Sequence, residues 1–232
     1  MPGKLIKNAA FLGGVVGDYR LALPLFRVLD RRYPNLARSD TELCVDGFPR
    51  SGNSFLVAAI QRWNPDLRLS HHTHLAGNIK FAVKHDIPTV ILLRKPVDAV
   101  ASAMIWDGMI TPWVGLFAYT HFYRSVAAFL EKALVVNFED AVSKPDAVVD
   151  MINRKFATGL SRIPFDVSEE RKIRNYLVRH DARNDRDATR STLPNAEKQR
   201  LKQSALADIQ QCALLERAER LWRDLAPERI ES

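Results

Sequence analysis

Cysteine is nearly absent from this chain of 232 residues. Cys44 and Cys212 are the only two, far apart and without metal-ligand spacing. A paired-cysteine zinc site is thereby excluded, and Cys44, set in an apolar run, reads as a buried reduced thiol. No HExxH pattern stands in for the missing cysteines, so no metal site is expected. Long hydrophobic runs are missing too. None approaches the roughly 18 residues that a membrane-spanning helix needs, so stable membrane insertion is not expected. The opening MPGKLIKNAAFLGGVVGDYR has a basic head and a short apolar patch, but its glycines and Asp18 make it a poor signal peptide. A cytoplasmic protein is expected. Internal repeats and low-complexity linkers are also lacking.

What remains is ordinary globular composition, with 47% hydrophobic and 26% charged residues. The length suits one sizeable core. The reading is a single domain over 1–232, with a core over about 41–157, an N-terminal helical segment over 1–35 and a helical C-terminal segment over 168–226. Net charge is +7. That excess suits nucleic acid, an acidic membrane surface or a small anionic ligand, and charge alone does not choose. The basic residues are spread and mixed with acids rather than clustered with exposed aromatics, which argues against a nucleic-acid partner.

Periodicity predicts strand alternating with helix. One or two helices are expected over residues 4–33. TELCVDGF reads as a first buried strand, NSFLVAAIQRW as a helix, DLRLS as a short strand and GNIKFAVKHD as a helix. PTVILLR is a continuous β-branched and leucine run, as a covered central strand should be. VDAVASAMIWDG returns to helix, closed by Gly108, and a mostly helical stretch spans 112–132. ALVVNF is a further strand and EDAVSKPDAVVDMINRKF a further helix. From about 168 onward the pattern is all helix; NAEKQRLKQSALADIQQCALLERAERLWRDL is the longest segment, with Asn195 as its N-cap. The fold class expected is α/β, a P-loop-like parallel sheet covered by helices on both faces. Such sheets bind ligands at the carboxyl ends of their strands.

The stretch CVDGFPRSGNSFL lies at one such end. It matches the spacing of a nucleoside-triphosphate loop through Gly47, Gly52 and Ser54, yet Asn53 stands where the lysine belongs. The loop keeps two other devices: backbone N–H groups converging on one spot, and about half a positive charge from the helix N-terminus. Arg50 adds a permanently charged fork suited to phosphate or sulfate oxygens. Ser51, Asn53 and Ser54 add donors. The loop is therefore expected to hold an oxyanion.

Two further features share that sheet edge. Arg94 ends the central strand and Ser102 follows eight residues later, in reach of a second phosphate. Two separate anion sites suggest a nucleotide with phosphates at two places. HHTHL sets His71, His72 and His74 just beyond the second strand. A histidine near its ordinary pKa is the usual general base for a hydroxyl or amine, worth roughly 10²- to 10⁴-fold in rate. The aromatic residues Trp106, Trp113, Phe117, Tyr119, Phe122 and Tyr123 either wall an acceptor cleft or form core.

In this order the three features resemble the sulfotransferases that use 3′-phosphoadenosine 5′-phosphosulfate (PAPS). That family's loop, Pro-Lys/Arg-Ser-Gly followed by two Thr or Ser and a large apolar residue, reads PRSGNSF here, with Phe55 as the loop's aromatic. Its strand-end arginine and serine, spaced by eight, are Arg94 and Ser102. Its Lys-Ser/Thr-His-Leu segment appears as HTHL, and its later Tyr-Glu-Asp segment as NFEDAVSKPDAV, with Phe138 in the adenine-side tyrosine's place. The resemblance covers roughly residues 41–157.

It implies in-line sulfuryl transfer without a metal, from PAPS to a hydroxyl or amine of a small-molecule or glycan acceptor. His74 would be the base. Arg50, Ser51, Gly52, Asn53, Ser54 and Phe55 would hold the phosphosulfate, and Arg94, Ser102 and Phe138 the 3′-phosphate and adenine side. Three positions depart from the family. His72 replaces a lysine, Arg50 the commoner loop lysine, and the late Arg-Lys-Gly-x-x-Gly-x-Trp-Lys segment has no counterpart. Within the basic run 179–190, Arg190 is the candidate to replace it. The alternatives are a P-loop nucleotide kinase or NTPase, and a catalytically degenerate nucleotide-binding member of the same fold.

Overall fold

The computed structural model of the protein describes residues 35–230, so the helices expected over 4–33 lie outside the described residues. The elements follow in the order β1 (Leu43–Gly47), α1 (Asn53–Trp63), β2 (Leu69–His71), α2 (Ala76–Lys84), β3 (Thr89–Leu93), α3 (Pro96–Trp106) and α4 (Pro112–Val126). Then come β4 (Leu134–Asn137), α5 (Phe138–Ser143), α6 (Pro145–Phe156), α7 (Val167–Arg183), α8 (Ala196–Gln210) and α9 (Leu215–Leu225). Among the described residues the strands form one sheet in the order β2-β1-β3-β4, parallel throughout. This is the α/β architecture that the alternation predicts.

Register explains why β1 and β3 read as unbroken apolar runs. Val45 pairs with Val90, and Val90 with Leu134. With Leu43, Leu92 and Val136 they face one side of the sheet, against Phe55, Leu56 and Ile60 of α1, Val149 and Ile152 of α6 and Ile173 of α7. The alternate residues Ile91 and Leu93 face the other side, against Val100 of α3, Leu116 and Tyr119 of α4 and Ile209 of α8. With helices on both faces both phases of each strand are buried, and the residues are apolar apart from Asp46 and the closing glycine in β1 and Thr89 in β3. Each large side chain so buried contributes about 1.5–3 kcal/mol. Among the described residues no helix is long and apolar enough to cross a membrane.

Three expectations are corrected. The single helix after β4 is two, because Pro145 removes an N–H and its ring drives Lys144 out of helical geometry, to φ −141 and ψ 49. The long C-terminal segment is also two helices, broken at residues 211–214. The reversal lets Ala205 and Ile209 of α8 and Ala218 of α9 reach the same apolar cluster, which one straight rod could not do. Finally, the chain is not all helix after 168: residues 184–195 form the loop that crosses to α8. Asn195 does cap α8, its side-chain oxygen accepting from Lys198 N at 3.0 Å.

Candidate active site

The loop between β1 and α1 is shaped by close approaches. At Gly47 a Cβ would stand 2.5 Å from the Leu92 carbonyl oxygen, so only glycine lets β1 lie this close to β3 as it ends. Gly52 has φ +96, and a Cβ there would meet the Phe138 ring at 3.1 Å. Arg50 also takes a left-handed conformation, φ 68, unusual for a residue with a side chain. These turns end the loop at the start of α1, whose first N–H groups, those of Asn53 and Ser54, have no intrahelical acceptor. Ser51 does not join them on the surface. It is fully buried, and its hydroxyl lies 3.5 Å from that of Tyr123, which donates to Leu92 O at 2.7 Å. Ser51 anchors the loop to the sheet.

The loop opens onto a cavity of about 990 Å³ at the carboxyl ends of the strands. Its wall includes Arg50, Gly52, Asn53, Ser54, Phe55, His74, Arg94, Ser102 and Phe138, so of the candidate residues only Ser51 and Arg190 lie off it. Arg50 donates from Nε to Ser102 Oγ at 3.0 Å and sits 4.5 Å over the Trp106 ring. Arg94 donates to the Arg50 carbonyl at 2.8 Å and lies 4.0 Å over Phe138. The two anion sites expected to be separate thus adjoin.

Four cations on this wall are not singled out by the sequence: Arg174, which pairs with Glu170 at 2.6 Å, Arg186, Lys198 and Lys202. Arg186 is paired with Asp181 at 2.8 Å and lies 5.0 Å from the Trp106 ring centre. Lys202 pairs with Asp98 at 3.0 Å. Among the described residues Arg50, Arg94 and Lys198 have no carboxylate within ion-pair reach. Burial, with Arg94 and Arg186 close by, pushes Arg50 down to about 10. Burial and the charge of Arg50 bring Lys198 down to about 8. Crowding of like charge at a helix N-terminus is the electrostatic signature of an anion site. Arg190 takes no part: it is exposed, its N–H bonded to Asp187, and it is not on the wall.

The histidines divide into two groups. His74 Nδ1 lies 2.8 Å from the Gly47 carbonyl and 3.4 Å from Asp46 Oδ1. Burial works to lower its pKa, but the hydrogen bond and charge of Asp46 outweigh it and hold the imidazole above its ordinary value. His72 is different: its Nε2 meets Ser54 Oγ at 2.9 Å and its Nδ1 meets His71 Nδ1 at 2.7 Å. Burial and the neighbouring His74 and His71 push His72 down to about 3, so it stays neutral. Among the described residues no group of three or more histidine, cysteine or acidic side chains is arranged to hold a metal ion.

The aromatic stretch divides between the two readings. Trp106 and Phe122 wall the cavity, Tyr119 and Tyr123 are core, and Trp113 and Phe117 are exposed. Asp46, Arg186 and Lys198 escaped the sequence reading for one reason each. Asp46 sits inside an apolar strand run, Arg186 is one of several charges in a basic stretch, and Lys198 faces inward only through the register of α8. The alternating pattern of a strand end and the cap at Asn195 were the available signals. No family model matches the chain, and no curated protein matches it.

Proposed function

We propose that the protein is a PAPS-dependent sulfotransferase acting in the cytoplasm on a hydroxyl or amine of a small-molecule or glycan acceptor. The observation that carries this reading is one cavity shared by two groups of side chains. Arg50, Arg94 and Lys198, none of them in direct contact with a carboxylate, gather beside the glycine loop, and a carboxylate-held histidine faces the same space. A nucleotide with two phosphate groups fits that donor set. The volume lies in the range of ligand sites, and Gly52 leaves open the space a Cβ would fill. Buried Asn53 Oδ1, without a partner, offers an acceptor to a ligand N–H or O–H. The free Cys44 thiol, buried in β1, suits a reducing compartment.

PAPS, when bound, would supply an activated sulfuryl group to the acceptor oxygen or nitrogen, with 3′-phosphoadenosine 5′-phosphate as the leaving group. His74 Nε2 takes the acceptor's proton. Arg50 and the N–H groups of Asn53 and Ser54 stabilise charge on the departing phosphate oxygen. Arg94 and Ser102 hold the 3′-phosphate, and Lys198 with Arg186 supplies the charge that a late cationic segment provides in the family. Fixed positioning of this kind lowers the barrier by several kcal/mol.

Titration calorimetry with 3′-phosphoadenosine 5′-phosphate, without magnesium, tests the reading beside ATP and the Arg94→Ala variant. Preferential binding of the bisphosphate, lost in the variant, is the expected result. ATP binding that requires Mg²⁺ would turn the reading to a kinase or NTPase. Bisphosphate binding with no transfer to any acceptor would mark a degenerate member of the fold.

A further inference from the structure

Asp46 is the least expected group near the cavity, a carboxylate with no exposed surface at the end of a central strand. Burial of a lone charge costs several kcal/mol, so its partners must account for its presence. They are all on one segment or adjacent to it. Oδ1 accepts from Gly47 N at 2.9 Å and His74 N at 3.1 Å. Oδ2 accepts from Thr73 N at 3.0 Å and Thr73 Oγ1 at 2.5 Å. The carboxylate therefore grips the backbone of the histidine segment, where His72 (φ 55) and His74 (φ 53) both take the left-handed conformation. Left-handed backbone costs roughly 1–2 kcal/mol for a residue with a side chain, and an outlier of this kind persists only where its surroundings hold it.

The same carboxylate bears on the ring. His74 Nδ1 faces two acceptors, the Gly47 carbonyl at 2.8 Å and Asp46 Oδ1 at 3.4 Å, against one longer approach from a donor, Asn53 Nδ2 at 3.5 Å, so the closer partners favour the proton on Nδ1. The unprotonated atom is then Nε2, and His74 is on the cavity wall. We propose that Asp46 is the positioning residue of the active site, fixing His74 in the Nδ1–H tautomer and in the backbone conformation that presents Nε2 to the acceptor. The inference rests on the reading of His74 as general base.

The groups that face His74 are Asp46 from β1, Arg50 from the loop, Asn53 from α1, and His71 and His72 from β2 and the turn after it. His71 is lowered by burial, and its neighbour His72 stays neutral. Asp46 is therefore the one anion acting on the ring from these elements. Its own carboxyl is pushed up by burial, but the bonds and charge from His74, with Thr73 and Gly47 N, outweigh this and hold it below the ordinary range.

Nitrogen-detected NMR of the ¹⁵N-histidine-labelled full chain, with His74 assigned through the His74→Gln variant, tests this without requiring any reaction. The expected spectrum at high pH has the proton on Nδ1, and the ring titrates above 6.5. Asp46→Asn should lower that pKa and populate the Nε2–H tautomer. It should also reduce kcat on the order of 10²- to 10⁴-fold, with KM little changed. Thr73→Val, which removes one Asp46 bond and touches no ring, should lower the melting temperature and leave the tautomer as it was. An Nε2–H tautomer in the wild type, or a His74 titration below 6.5, overturns the proposal even if Asp46→Asn fails to fold. Failure of the wild type to bind the bisphosphate, with the NMR result as expected, would instead overturn the sulfotransferase reading and leave the dyad standing.

Discussion

The Nε–H of Arg50 donates to the hydroxyl of Ser102 at 3.0 Å, joining the loop after β1 to the second turn of α3. A residue 52 positions away thus completes the loop's wall. Arg94 supports the same loop from β3 by donating to the Arg50 carbonyl. Phosphate groups at the two sites would share one continuous set of donors.

Replacing Arg50 should therefore affect more than one contact. Arg50→Ala is expected to weaken binding of 3′-phosphoadenosine 5′-phosphate by about 10- to 100-fold, the loss of one charge-assisted hydrogen bond at ~1.5–3 kcal/mol. Arg50→Lys should fall between the two, keeping charge but losing the fork. Calorimetry at fixed salt orders the three proteins.

Gly52→Ala tests the loop's shape. The added Cβ meets a φ of +96 and the Phe138 ring at 3.1 Å. A cost of about 1–2 kcal/mol should lower the melting temperature by roughly 2–8 °C, and bisphosphate affinity should fall with it. Thermal unfolding followed by circular dichroism gives the first number.

Lys198 should make anion binding pH-dependent. Its ammonium is held down to about 8 by burial and Arg50. A bound anion favours the charged form, so binding above pH 8 should take up a proton, and affinity should fall as pH rises through that value. Calorimetry in buffers of different ionisation enthalpy at pH 8.5 measures the uptake, which Lys198→Met should abolish. Arg186→Ala should weaken binding, whereas Arg190→Ala should leave it unchanged.

As the proposed general base, His74 should set the acid limb of the rate. Its pKa is raised, so as pH falls through a value above 6.5 the ring protonates and kcat declines. His74→Ala should lower kcat on the order of 10²- to 10⁴-fold and flatten that limb, with bisphosphate affinity retained. In stability the sign is opposite. The raised pKa contributes fully below 6.5 and is lost as pH rises through the folded value. Asp46, with a lowered pKa, contributes above the ordinary carboxyl range and loses its contribution as pH falls through the folded value. Melting temperature against pH for wild type and His74→Ala separates the two.

The sequence by itself determined the strands, their alternation with helices and the loop after β1. Unbroken apolar runs at TVILL and LCV require a sheet covered on both faces, and the glycine spacing after β1 requires a turn onto a helix N-terminus, because both signals are local. Arg50 and Arg94 were legible for the same reason, each lying within three residues of a strand end, and Ser102 through its fixed spacing of eight from Arg94. Only the tertiary structure decided the rest. It buried Ser51 under Tyr123, turned the chain at 184–195 so that Arg186 and Lys198 rather than Arg190 face the cavity, and set Asp46 against His74 across 28 residues of chain. Those outcomes depend on which faces of distant elements pack together, and periodicity along the chain carries no record of that pairing.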